Sequence, residues 1–205
     1  MQHTSLLARS GLWRVTRHDT VKRLYQRLRA PGVFVAQLDR LNRSTAGLDH
    51  AASDVPAGVK IEVHPASGSA LSDLDGLDVA PIAPSDRIVV ARRDGTPVGW
   101  CCLSDRPMYV SELQRRLRFS GAYLWRLYVR SGERGRGIGS AIIREAVSQA
   151  RIGMDAKTIS ALVAPDNLPS RKAFHALGFT PIDRYTSAGC LGREWHHRTS
   201  LDVQS

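Results

Sequence analysis

No run of about 18 apolar residues occurs in the 205-residue chain, so no segment reads as a membrane-spanning helix. Met1–Leu12 lacks an unbroken apolar stretch ahead of a small-residue cleavage site and does not read as a secretion signal. Cysteine is scarce: Cys101, Cys102 and Cys190 make an odd count, and two of them are adjacent. Neighbouring strand residues face opposite ways, which argues against a disulfide framework and points to a reducing, cytoplasmic setting. Lysine is scarcer than its charge class suggests, with four lysines against 25 arginines, a skew that fits coding bias better than function. No internal repeat is present.

What is there is enough for a core, since 42% of the residues are hydrophobic and the length suits one domain with a modest extension. The net charge of +10 is uneven. Residues 1–43 carry +7, residues 44–86 carry −6 and residues 87–205 carry +9. Such a balance suits nucleic acid, an anionic surface or a polyanionic ligand, but no groove-reading motif accompanies it, so a solvated basic surface is favoured over nucleic-acid binding.

Apolar spacing predicts a basic helix over Gly11–Ala30, ended by Pro31-Gly32, then a short strand at Val33–Leu38 and a mobile connector over Asn42–Val59. Residues 1–55 are therefore expected to be an extension to a domain spanning 56–205. Val59–His64 alternates as a half-buried strand should, and Ser67–Val79 reads as a short acidic helix. Arg87–Arg92 and Pro97–Leu103 form a hairpin around Asp94-Gly95. Glu112–Phe119 is helical or extended, with the pattern favouring neither. Strands are then expected at Ala122–Val129, Thr158–Val163, Phe179–Thr186 and Trp195–Val203, and helices at Gly139–Ile152 and Leu168–Leu177. The order implies a mixed sheet with helices on its faces.

The segment that carries chemistry is Arg134-Gly135-Arg136-Gly137-Ile138-Gly139, set between a strand and a helix. Its glycines let bare N–H groups approach a ligand, the helix N-terminus favours negative charge, and Arg134 and Arg136 add donors for phosphate oxygens. A Walker-type loop requires a lysine that is absent here, and a Gly-x-Gly-x-x-Gly fingerprint fails at Ser140 or Ile142 according to the starting glycine. The turn does resemble the coenzyme-A motif of the GNAT acyltransferase superfamily, Arg/Gln-x-x-Gly-x-Gly/Ala. A second segment, Asn167-Leu-Pro-Ser170…Phe174-His-Ala-Leu-Gly178-Phe179, is similar to that family's Asn-x-x-Ser/Ala…Tyr/Phe-x-x-x-Gly-Phe. The likeness covers roughly residues 59–203.

That resemblance implies a fold and a cosubstrate. The fold is an α+β, mostly antiparallel sheet of six to seven strands with a splayed central strand and helices on both faces. The cosubstrate is acetyl-CoA, with an acetyl group passing to a primary amine that the sequence does not identify. Leu127, Tyr128 and Val129 would pair with the pantetheine arm. The backbone of Arg134, Gly135, Arg136, Gly137, Ile138, Gly139 and Ser140 would hold the pyrophosphate, and Asn167, Ser170 and Phe174 fall at coenzyme-facing positions. Many relatives carry a proton-donating tyrosine where this chain has Phe174, so water, Tyr128 or Tyr185 would have to supply that proton. Glu112, ahead of Asp105, is the candidate general base, with an exposed surface carboxylate as the plainer reading and catalysis by proximity alone as another. Consecutive His196-His197 with Cys190 make poor co-ligands, so no metal is expected. The missing tyrosine and the basic segment 1–43 keep open a second reading, a coenzyme-A-binding recognition module. A monomer or a homodimer fits either reading. Substrate choice would lie in the variable segments Ser67–Ser85, Arg106–Gly121 and Ser187–Arg193.

Overall fold

A computed structural model describes residues 34–47, 55–66, 74, 82–190 and 193–201. The helix expected over Gly11–Ala30 and nearly all of the one expected over Ser67–Val79 lie outside the described residues. In chain order the strands are β1 (Phe34–Ser44), β2 (Val59–Pro65), β3 (Arg87–Arg93), β4 (Thr96–Ser104), β5 (Met108–Val110), β6 (Arg115–Leu117) and β7 (Ala122–Val129). Helix α1 (Ile138–Met154), β8 (Thr158–Val163), α2 (Leu168–Ala176), β9 (Thr180–Cys190) and β10 (Arg193–Ser200) follow.

The main sheet has eight strands in the order β10-β9-β1-β8-β7-β4-β3-β2, and β5 pairs with β6 in a separate ribbon. Among the described strands only β7 and β8 run parallel, and every other pairing is antiparallel. The β3–β4 hairpin turns as expected, because Asp94 and Gly95 both adopt the positive φ that suits a two-residue hairpin loop. Glu112–Phe119 resolves as a turn into the extended β6, with Gln114 at φ 52° closing the ribbon.

The N-terminal strand is longer than its apolar run and is not peripheral. It lies inside the sheet, paired with β8 along one edge and β9 along the other, so residues 34–44 share one sheet with residues 59–200 rather than standing apart from it. The apolar run predicts a strand ending at Leu38 and a connector from Asn42, yet β1 runs on through the polar residues 39–43 to Ser44. Those polar residues instead find partners across the sheet: Asp39 stands opposite Arg184, and Arg40 opposite Asp183. A slip of one residue would set Asp39 against Asp183, so the alternating charges specify the register.

Alternation along the strands sends side chains to two cores. Ala122 and Leu124 of β7 and Ile159, Ala161 and Val163 of β8 join α1 and α2 in the first core. Tyr123 and Trp125 point to the second, which the β5–β6 ribbon and Leu74 help to cover. Both described helices thus sit on one face; most of the further helix expected at Ser67–Val79 lies outside the described residues. Helix α1 forms because Ile138, Ala141, Ile142, Ala146 and Val147 recur at helical spacing and all are buried. Burial of each large aliphatic contributes about 1.5–3 kcal/mol.

Helix α1 and β7 leave no room for a side chain at Gly99 of β4. A Cβ there would stand 2.8 Å from the Tyr128 carbonyl oxygen and 2.9 Å from Ile142 Cδ1. Gly99→Ala is expected to cost about 1–3 kcal/mol by overpacking, measured as a lower urea midpoint with unchanged slope.

Candidate functional site

Pairing between β7 and β8 lasts only three residues, Ala122–Leu124 against Ile159–Ala161. Beyond Leu124 the two strands have no pairing, while β7 stays paired with β4 to Val129. A β-bulge accompanies the divergence. Trp100 faces Tyr128 and Cys102 faces Trp125, so Arg126 and Leu127 share the space opposite Cys101. Arg126 takes φ 54°, a left-handed conformation that re-aims the peptide groups around it. No strand among the described residues pairs with the β8-facing edge of residues 125–129.

Past Val129 a 3₁₀ turn over Ser131–Glu133 leads into the glycine turn, where Gly135 (φ 77°) and Gly137 (φ 80°) are left-handed. Gly137 is the N-cap of α1, no side chain caps that end, and its first turn carries no acid. The amides of the first helical turn therefore lack intrahelical acceptors and face the approach to the helix, which favours an anion. The Arg134 side chain reaches back, its Nε donating to the Val129 carbonyl at 2.9 Å and tying the turn to the strand.

These elements enclose a cleft of about 560 Å³. Leu127, Tyr128 and Val129 form its strand wall; Arg134, Gly135, Gly137, Ile138, Gly139 and Ser140 form its turn and helix mouth; Asn167 and Ser170 line the far side. The two sequence motifs, which are about 30 residues apart, thus converge on one cavity. Asn167 has a local duty as well, since its Oδ1 accepts from the Ser170 amide at 3.4 Å as the N-cap of α2.

Two expected residues do not line the cleft. Arg136 points outward and pairs with Glu133 at 3.6 Å. Phe174 is 2% exposed and packs edge-on against Phe179 at 4.9 Å, its face of α2 turned into the first core. Ala173, one residue earlier, lines the cleft in its place. Sequence reasoning also missed Pro169, which lies inside the quoted motif, and Glu133. That carboxylate is held by Arg93 at 2.9 Å, and both its partners offset the negative charge it brings to an anion-favouring mouth. An acid immediately before an Arg/Gly turn was the available signal.

The structure brings neither catalytic candidate to the cleft. Glu112 is exposed in the turn after β5, accepting from Ser111 Oγ at 3.0 Å. Asp105 is likewise exposed beyond β4. Tyr185 lies on β9, separated from β7 by β1 and β8, about 14 Å at ordinary strand spacing. Its ring is buried under the Arg198 guanidinium at 5.9 Å. Tyr128 is the phenol at the site: it is partly exposed and rests on Trp100, with ring centroids 4.4 Å apart. Tyr123, three residues before Arg126, is held neutral, its pKa raised by burial and by the nearby Glu112 charge. Among the described residues no group of three His, Cys, Asp or Glu side chains could hold a metal. Burial pushes the Cys102 thiol up to about 12 and the fully buried Cys101 thiol well above its ordinary value, so neither supplies a thiolate nucleophile.

Residues 61–179 match the family model described as acetyltransferase (GNAT) family. Among solved structures, a GCN5-related N-acetyltransferase from Kribbella flavida superposes with a TM-score of 0.54 at 17% identity, over 79% of this chain and 61% of that one. A tandem GNAT protein from the clavulanic acid biosynthesis pathway gives 0.53 at 15% identity, over 82% and 55%. A GCN5-related N-acetyltransferase-like protein from Streptococcus suis gives 0.50 at 14% identity, over 84% and 68%. The chain therefore spans about three fifths of the first of these, and the likeness is one of fold. No curated protein matches it.

Two outcomes follow from the geometry. Gly137→Val, which forces a branched side chain into the left-handed region, should cost about 1–2 kcal/mol. Gly139→Ala should cost nothing measurable in the same urea titration, because its Cβ would meet Val129 Cγ2 at an ordinary 3.7 Å. With about one part in ten thousand of the Cys102 thiol ionised near pH 8, iodoacetamide should leave Cys101 and Cys102 of the native chain unmodified and label both in urea, as read by peptide mass spectrometry.

Proposed function

The chain belongs to the acetyltransferase (GNAT) family, and from that premise we propose that it moves an acetyl group from acetyl-CoA to a primary amine. The observation that carries the reading is the convergence of both motifs on the cleft opened where β7 leaves β8. The cleft fits this cosubstrate by its chemistry. The strand edge at Leu127–Val129, which no described strand pairs with and where Arg134 takes the Val129 carbonyl, offers backbone groups to the amide-bearing pantetheine arm, as an added strand would. The backbone amides of Gly135 to Ser140, three of them glycine amides, suit a pyrophosphate at a helix N-terminus. Asn167 and Ser170 stand along the opposite wall.

In the reaction the free amine attacks the thioester carbonyl carbon, the C–S bond breaks, and the proton lost by the amine ends on the coenzyme sulfur. The bulge at Arg126–Leu127 re-aims a backbone N–H beside the strand edge, where it stabilises the developing oxyanion. Tyr128 is the residue we assign to protonating the leaving thiolate, in place of the hydroxyl that Phe174 lacks. Among the described residues the carboxylate lining the cleft is the ion-paired Glu133; the amine enters already neutral and the enzyme contributes mainly orientation. A recognition module that binds coenzyme A without turning it over is the rival reading, supported by the distance of Glu112 and Tyr185 from the cleft.

Acetyl-CoA should raise the melting temperature, with about 2.7 kcal/mol of stabilisation at a hundred times its Kd; no shift at millimolar ligand sinks the reading. A panel of amines, polyamines, amino acids and peptide N-termini should then yield free coenzyme A thiol with at least one member. Tyr128→Phe should lower kcat about a hundredfold while leaving the Kd for acetyl-CoA in place. Binding without thiol release across the panel favours the recognition module instead.

A further inference from the structure

Helix α2 has nine residues, too short to hold its place by its own hydrogen bonds, so its position is set by what it packs on. One side of it, through Asn167, Pro169, Ser170 and Ala173, lines the cleft. Phe174 sends its opposite side into the first core, and further polar attachments come from β1. Asp39 of β1 is fully buried, and its two oxygens accept from Arg184 Nε at 2.6 Å, from Arg184 Nη2 at 3.0 Å and from Arg171 Nη1 at 2.5 Å. Arg184 belongs to β9, but Arg171 belongs to α2, next to the cleft-lining Ser170. At the end of the same helix, Arg43 of β1 donates through Nη1 to the Leu177 carbonyl, an acceptor that the helix itself leaves unused. The strand therefore grips α2 at its middle and at its C-terminus. Both gripping residues lie outside the span 61–179 that matches the family model.

We infer that Asp39 and Arg43 are positioning residues for the coenzyme-facing side of α2, so that the N-terminal strand, and not the matched domain alone, sets the geometry of the cleft. The inference rests on the acetyl-CoA reading for its ligand, though not for its anchor. The physics is a shared carboxylate. Two guanidinium groups converge on the buried Asp39, and neutralising it leaves two partly exposed like charges facing each other with no carboxylate between them. Arg184 is pinned by its strand. Arg171 is the one that can retreat, and it takes α2 with it.

The opposite face of the sheet supplies a matched control. Asp183, 2% exposed, binds Arg40 at 3.4 Å and Arg198 at 3.0 Å, the same chemistry with no partner on α2. Full-length Asp39→Asn and Asp183→Asn would be compared by hydrogen exchange of the segment 168–177 and by calorimetry with coenzyme A. Asp39→Asn should speed exchange in that segment and raise the coenzyme A Kd by about tenfold each. Asp183→Asn should change neither beyond about twofold, although it too loses thermal stability. Equal exchange in the two variants, or faster exchange with an unchanged Kd, overturns the inference. If Asp39→Asn does not fold, Arg171→Gln replaces it, since that side chain is 30% exposed and Asp39 keeps Arg184. Should the unaltered chain take no coenzyme A at all, the proposed function falls, and the exchange contrast alone decides whether β1 anchors α2.

Discussion

Everything at the cleft depends on β7 parting from β8 after Leu124. Parallel strands that stayed paired would leave neither a cavity nor an unused edge, and the glycine turn would abut a closed sheet. The bulge at Arg126–Leu127 is the local cause that can be named, since two residues opposite Cys101 add twist on one strand only. The wedge stays open because both its arms are fixed elsewhere. β7 is held by β4 to its last residue, and β8 is held by β1 on its far side. Helix α1 packs across β3, β4, β7 and β8 through its buried aliphatic face, which aims its N-terminus at the mouth.

The same sheet carries an unusual amount of buried charge. Asp39 and Asp183 are adjacent in the β1–β9 ladder but face opposite sides, each between two arginines. Buried ion pairs contribute little net stability once desolvation is counted, and their better-attested use is to specify one arrangement over another. That fits a strand drawn from far away in sequence, whose apolar residues alone would tolerate a slipped register. Glu133 shows the complementary use at the surface. Clasped by Arg93 and Arg136, it braces the turn before the glycines while its charge is offset, so the mouth keeps its preference for anions.

Much of this was legible in the amino-acid pattern. The Arg/Gly turn, the Asn167–Phe179 segment, the Asp94-Gly95 hairpin and the aliphatic face of α1 are local signals, each set by the backbone freedom or side-chain period of a few consecutive residues. The turn and the strand before it were legible as an anion-favouring helix N-terminus because the residues that make one are neighbours in sequence. The orientation of Phe174 was a near miss of one helical step: 170 and 173 share a face, while 174 turns toward Phe179.

The family, the glycine turn and the helix it opens can be read from contiguous residues, because each rests on neighbours in the chain. The place of β1 between β8 and β9, the distance of Glu112 and Tyr185 from the cleft, and the grip of Asp39 and Arg43 on α2 emerge only when the chain is folded. Those are long-range relations, in which the partner of a residue is more than a hundred positions away and its polarity reads locally as a loop. A polar stretch such as Asp39–Arg43 becomes a strand only when buried opposite charges exist to receive it.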